Sequence, residues 1–214
     1  MNTTATIPPQ WKQEDEQNAA HYARLFSEHG DSHKSMDWNS RASQERRFQV
    51  LADIGSLEGK SILDIGCGLG DLYGWLNSKG ISIKYTGWDI TPSMVEHSSG
   101  KYPEAAFRVC NFIDIKDSVE SFDYVFASGI FTFRQEAPKL YFQTALQKLF
   151  AMSRIGIGVN TLSTWSTKPD EGEFFCDPAE ALNFARTLTS RVILRHDYHP
   201  GDFTLYLLKA DVKV

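Results

Sequence analysis

The chain has 214 residues, a net charge of −5, and 14 Phe, 8 Tyr and 5 Trp; this suits one sizeable domain with its own core and excludes wholesale disorder. A mildly acidic chain without a long basic run argues against a nucleic-acid partner. Cys67, Cys110 and Cys176 stand apart in no metal-ligand spacing, no stretch is apolar enough to span a bilayer, and the polar start MNTTATIPPQ is no signal peptide, so a cytoplasmic protein with no metal and no membrane partner is expected.

Residues 1 to 10, with Pro8-Pro9, read as a frayed leader. From Trp11 to His29 the chain reads as a helix, with Ala19, Tyr22, Ala23 and Phe26 at i, i+3, i+4 and i+7. HGDSHKSMDWNS is a polar loop, and Ser40 to Ile54 reads as a second helix burying Phe48, Leu51 and Ile54. The two helices form a cover on the rest of the chain rather than a domain of their own.

The next stretch, SILDIGCGLGDL, organises the remainder. Ile62 to Ile65 reads as a buried strand, Gly66, Gly68 and Gly70 punctuate a turn, and Asp71 to Ser78 begins a helix. A strand that passes through a glycine-rich turn into a helix gathers unpaired backbone N–H groups at one point and lets a ligand approach the main chain. Asp64, two residues before the first glycine, is placed to brace the turn and to meet a cationic ligand group. A second strand, Ile83 to Trp88, ends at Asp89, where an acid can accept hydrogen bonds from both hydroxyls of a ribose.

Thr91-Pro92 is an N-cap and first helical residue. Ala106 to Val109 is a third strand followed by Cys110-Asn111-Phe112, and Phe122 to Ala127 a fourth with Ser128-Gly129 at its tip. An amphipathic helix over Pro138 to Phe150 precedes a fifth strand, Arg154 to Asn160. Asp177-Pro178-Ala179-Glu180 is a capping box that starts a helix to about Thr189. Val192 to Tyr198 and Phe203 to Lys209 are strands joined by a turn too short for a parallel crossover, so they pair antiparallel. Alternating strand and helix signals from Lys60 onward argue for a mainly parallel sheet.

ILDIGCGLGDL followed by GWDITPSMVE strongly resembles the first two motifs of class I S-adenosylmethionine-dependent methyltransferases, and later segments extend the likeness to most of the chain from Gly59. The glycine spacing is G-x-G-x-G, not the G-x-G-x-x-G of dinucleotide oxidoreductases. The resemblance implies an α/β, Rossmann-like, seven-stranded and mostly parallel sheet with the last strand antiparallel, helices on both faces, and an N-terminal helical lid. Residues 1–57 would be leader and lid, and 58–214 one compact S-adenosylmethionine-binding unit.

The cofactor residues on this reading are Asp64, Gly66, Cys67, Gly68, Gly70, Asp89, Ile90, Asn111, Phe112 and Ser128, with Arg47 as a clamp for the methionine carboxylate. Asn111 and Phe112 match the family position that meets adenine, by a polar edge contact and by ring stacking. The catalytic candidates are Tyr22, His29, Asn160 and Tyr198, though Tyr22 also falls on an apolar helix stripe. Trp38 and Gln44 lie where a lid would sit, His33 in a polar loop, and His196 and His199 in the dense titratable run RHDYHPGD. Phe131, Phe133, Trp165, Phe174 and Phe175 are candidates for an apolar lining.

The expected activity is methyl transfer from S-adenosylmethionine to a small-molecule acceptor by a monomer or homodimer. Two alternatives stay open: intramolecular cyclisation of S-adenosylmethionine to azetidine-2-carboxylate with release of methylthioadenosine, and a catalytically silent binding module.

Overall fold

The computed structural model describes residues 8–115, 121–133 and 136–209. Among these, seven strands form one sheet: β1 (Ser61–Ile65), β2 (Lys84–Asp89), β3 (Ala106–Val109), β4 (Phe122–Ser128), β5 (Ser153–Leu162), β6 (Arg191–Arg195) and β7 (Asp202–Leu208). Their spatial order is β3-β2-β1-β4-β5-β7-β6. The first five run parallel, and β7 is antiparallel to both β5 and β6. The expected mostly parallel sheet with its last strand reversed is what the chain builds. Strand order reverses between β1 and β4, so a crevice opens beyond Ile65 and Ser128, where such sheets collect ligands.

Six helices cover the sheet: α1 (Pro9–His29), α2 (Arg41–Ala52), α3 (Asp71–Ser78), α4 (Pro92–Lys101), α5 (Pro138–Met152) and α6 (Pro178–Leu188). Alternation along the strands sorts the core into two layers. Ile62, Tyr124 and Phe126 face Phe48 and Leu51 of α2 and Leu72, Trp75 and Leu76 of α3. Leu63, Ile65, Val125 and Ala127 face Tyr141, Phe142, Leu146 and Leu149 of α5, with Ala181 and Ala185 of α6 beyond. Gly158 makes room for the α2 layer, since a Cβ there would stand 3.1 Å from Leu51. The Tyr206 hydroxyl of β7 donates to the Val50 carbonyl and pins α2 from the far side.

Several local expectations need correction. The part of the leader at residues 1–7 lies outside the described residues, but Pro9 and Gln10 are already helical, because proline fits the first helical turn. The buried line of α1 runs through Trp11, Asp15 and Leu25 rather than through Ala19, Tyr22, Ala23 and Phe26, which are half-buried. Trp11 sets that rotation, with its indole donating to the Glu136 carbonyl and its ring edge-on to Tyr141. The polar loop after α1 contains a 3₁₀ turn, His33–Met36, capped by Ser32. Thr91 precedes α4 without capping it through its side chain, whereas Asp177 caps α6 as expected by accepting from Ala179 and Glu180 N–H.

Leu51 is fully buried between α2 and the sheet. Truncating it to alanine opens a cavity, and such losses cost about 2–5 kcal/mol. Leu51→Ala should therefore lower the unfolding free energy from urea melts by that amount at unchanged m-value; a loss below about 1 kcal/mol would show that α2 does not pack on the sheet through this residue.

Candidate functional site

The glycine turn joins β1 to α3, and three of its residues adopt the left-handed region: Gly66 at φ +73°, Gly68 at +50° and Gly70 at +74°. Its N–H groups, however, do not point free into the crevice. Gly66 and Cys67 donate to the Trp88 carbonyl at 2.8 and 3.2 Å, and Gly70 donates to the Cys67 carbonyl at 2.9 Å. Gly68 donates to Asp89 Oδ2 at 2.9 Å. Four of the donors that the sequence suggested would be unpaired, at Gly66, Cys67, Gly68 and Gly70, are thus satisfied internally. The Met36 and Ile130 side chains lie against the turn, where a Cβ at Gly68 or Gly66 would fall.

Asp89 is the hub. Its second oxygen accepts from Thr91 N–H at 2.8 Å, so a single carboxylate fixes both the glycine turn and the loop after β2. Burial raises its pKa, and the two backbone donors work in the opposite direction.

Beyond the strand tips lies a cavity of about 780 Å³, counted out to its open mouth. Gly66, Asp89, Ile90, Asn111, Phe112 and Ser128 line it, as does Tyr22. Asn111 donates through Nδ2 to Asp15 Oδ2 at 2.7 Å and accepts Ile113 N–H at 3.2 Å. The Ser128 hydroxyl is buried in the cavity wall with no hydrogen-bond partner. Burial lifts the Tyr22 phenol well above its ordinary range, and Asp37 and Asp89 add to that.

Other candidates lie elsewhere. Asp64 does not reach the cavity: it points to the α2–α3 layer and accepts the Tyr85 hydroxyl at 2.5 Å. Cys67 and Gly70 sit behind the wall, Cys67 filling the space beside Gly87 and Gly70 backed by Tyr102 and Phe107. Arg47 is no clamp in this cavity, because its guanidinium pairs with Asp202, binds Ser43 and lies over the Trp38 ring at 4.6 Å. His29 stands exposed at the end of α1, outside the cavity lining. Tyr198 is removed too, its hydroxyl 2.9 Å from Thr204 Oγ1.

His33 sits in the 3₁₀ turn, and His196 stacks on Trp165 with Nε2 2.8 Å from Ser163 Oγ. Trp165 is 58% exposed and stands outside the main cavity, whereas Phe174 packs against the α5 core. Phe133 lines the main cavity; Asn160 and Phe131 line a smaller one beside it.

Asp15, Met36 and Ile130 are wall residues that the sequence did not reveal. Asp15 sits in the charged run QEDEQ, which looks like a solvated helix face, and Met36 in a polar loop. No local signal separates them from surface residues.

The sequence of residues 62–152 matches the model of a methyltransferase domain family. A putative methyltransferase of Mycobacterium tuberculosis, Rv1506c, is 32% identical over 157 residues, which cover 70% of this chain and 93% of that protein. Among solved structures, magnesium protoporphyrin IX methyltransferase from Synechocystis with bound S-adenosylhomocysteine superposes with a TM-score of 0.65 at 13% identity, covering 93% of this chain and 97% of that one. The [4+2]-cyclase SpnF superposes with a TM-score of 0.59 at 15% identity, covering 79% and 82%. At such identities the structural likenesses speak for the fold alone.

Asp64 gives a test of the site's electrostatics. Its pKa is raised to about 7, chiefly by burial and with help from Asp89 and Asp71, against the lowering effect of the Tyr85 hydroxyl. An unfolded aspartate titrates near ~3.9. Between those values the folded chain holds a proton that the unfolded chain has released, so stability falls as pH rises from about 4 to about 7. Asp64→Asn keeps an oxygen for Tyr85 and removes the titration. In ligand-free melts the Tm of the variant minus that of the wild type should grow from pH 4 to pH 8; a flat difference would contradict the buried, uncompensated carboxyl.

Proposed function

The chain belongs to the class I, Rossmann-like S-adenosylmethionine-dependent methyltransferase family, and from that premise we propose that it binds S-adenosylmethionine in the crevice between β1 and β4 and methylates a small-molecule acceptor. The observation that carries this reading is one cavity bounded by the glycine turn, by an acid at the tip of β2 and by the Asn111–Asp15 pair beyond β3. Those residues fit a nucleoside with an amino-acid tail. The unpartnered Ser128 hydroxyl offers a further polar contact, and the flexible Met36 and Ile130 side chains occupy space beside the glycines that a tail can take.

When bound, S-adenosylmethionine supplies a methyl group already activated by its sulfonium charge. The protein's task is then chiefly to hold and align. Asp89 has spare lone pairs on both oxygens after its bonds to Gly68 and Thr91, and these would accept the two ribose hydroxyls. Ile90 and Phe112 would flank the base, with Asn111 and Asp15 at its polar edge. Tyr22, Trp38 and Phe133 offer aromatic faces toward a cation. Residues 8–57, which carry Asp15, Tyr22, Met36 and Trp38 into the cavity wall, would act as the lid that excludes water.

Calorimetric titration with S-adenosylmethionine tests the site directly. A hydrogen bond to a charged group contributes about 1.5–3 kcal/mol, so Asp89→Ala should weaken binding by about 10- to 100-fold, with a melt confirming that the variant folds. Unchanged affinity would end the assignment. Mass spectrometry of the wild-type reaction with a small-molecule extract should show S-adenosylhomocysteine with a methylated product. Methylthioadenosine forming without an acceptor would replace methyl transfer by intramolecular cyclisation.

A further inference from the structure

A second cavity of about 260 Å³, counted with its mouth, adjoins the first, and Trp38 and Gly129 bound both. Its polar floor has a definite geometry. Strand register sets Ser128 beside Asn160, and Leu162 beside Asp202. Directly paired residues project to the same side of a sheet, as do residues two apart on one strand. Ser128, Asn160 and Asp202 therefore share one face, the face on which Gly158 meets Leu51 of α2.

Four polar atoms on this face are buried without a hydrogen-bond partner: Ser128 Oγ, Asn160 Nδ2 and both Asp202 oxygens, of which Oδ1 also lacks an ion-pair partner. Asn160 and Asp202 are each 2% exposed, so water does not readily satisfy them. The other Asp202 oxygen meets Arg47, which Ser43 and the Trp38 ring hold in place. His199 Nδ1 lies 3.5 Å from that oxygen but already accepts Gly201 N–H, so as a neutral imidazole it offers Asp202 no proton. The Arg47 and Asp202 charges cancel.

This arrangement discriminates between ligands. An anion would face the bare Asp202 oxygen, and a cation the Arg47 guanidinium. A neutral hydroxyl satisfies both open groups, accepting from Asn160 and donating to Asp202. Trp38, Phe131 and Leu162 supply apolar walls for the rest of the molecule. We propose that this second cavity holds the methyl acceptor, and that the acceptor is an uncharged compound with a hydroxyl on a compact apolar body, recognised by Asn160 and Asp202. The proposal rests on the methyltransferase reading for the word acceptor, but the hydroxyl preference of the cavity stands on its own geometry.

The test uses phenol and cyclohexanol as probes against toluene, benzoate and benzylamine, with dissociation constants read by ligand-observed NMR on the full chain, with and without S-adenosylhomocysteine. The two hydroxyl compounds should bind at least tenfold more tightly than the other three. Asn160→Ala should weaken phenol at least fivefold and leave toluene unmoved, while the affinity for S-adenosylhomocysteine stays within twofold. Asp202→Asn, which retains an oxygen toward Arg47, should also weaken phenol. Preference for benzoate or benzylamine, or phenol binding indifferent to Asn160→Ala, would overturn the proposal. Failure of S-adenosylhomocysteine to bind would remove the donor reading instead, and the phenol series in its absence would still decide the cavity's preference.

Discussion

The carboxylate of Asp89 accepts from Gly68 N–H on one side and Thr91 N–H on the other, and so joins the turn after β1 to the loop after β2. Parallel strands need this kind of connection at their carboxyl ends, where the ladder stops and backbone groups lose their partners. The N–H groups of Gly66, Cys67, Gly68 and Gly70 are held by Trp88, Cys67 and Asp89, so the turn is tied to β2 by its own hydrogen bonds. Walls so held are what a reaction governed by alignment requires.

Acid is concentrated around that turn. Asp64 and Asp89 are buried within it, and Asp71 opens α3 with its carboxylate held by Gln44. Burial is the leading cause of the raised pKa of both Asp64 and Asp89, which marks carboxyl groups whose charge is uncompensated in the chain itself. Of the two, only Asp89 lines the cavity, so a positively charged ligand group there would relieve the cost at Asp89.

The N-terminal helices are more than a cover. Leu51 and Phe48 of α2 belong to the core layer that also holds α3, and α1 contributes Asp15 and Tyr22 to the cavity wall. Arg47, Trp38 and Asp202 tie α2 and the loop before it to the start of β7, so the two cavities meet under a single roof. Movement of that roof would change both cavities together.

The succession of strands and helices, the reversed last hairpin and the position of the glycine turn were legible in the sequence, because each is written in local terms: alternation, glycine spacing, and a connection too short for a crossover. Asp89, Asn111, Phe112 and Ser128 line the cavity because it lies beyond the strand tips, and tips follow from strand ends. Asp64 and Arg47 were misplaced for one reason. Sequence spacing tells which face a residue takes but not which partner waits there, and Tyr85 and Asp202 lie 21 and 155 residues away. Asp15 within a charged run and Met36 within a polar loop carry no local mark at all, since only the packing of α1 and the turn after it over the crevice removes them from water. The chain's pattern thus determines the scaffold and the strand-tip walls of the main cavity, whose features are short-range. The smaller cavity was decided in three dimensions, where α2, β4, β5 and β7 bring distant polar groups onto one buried face.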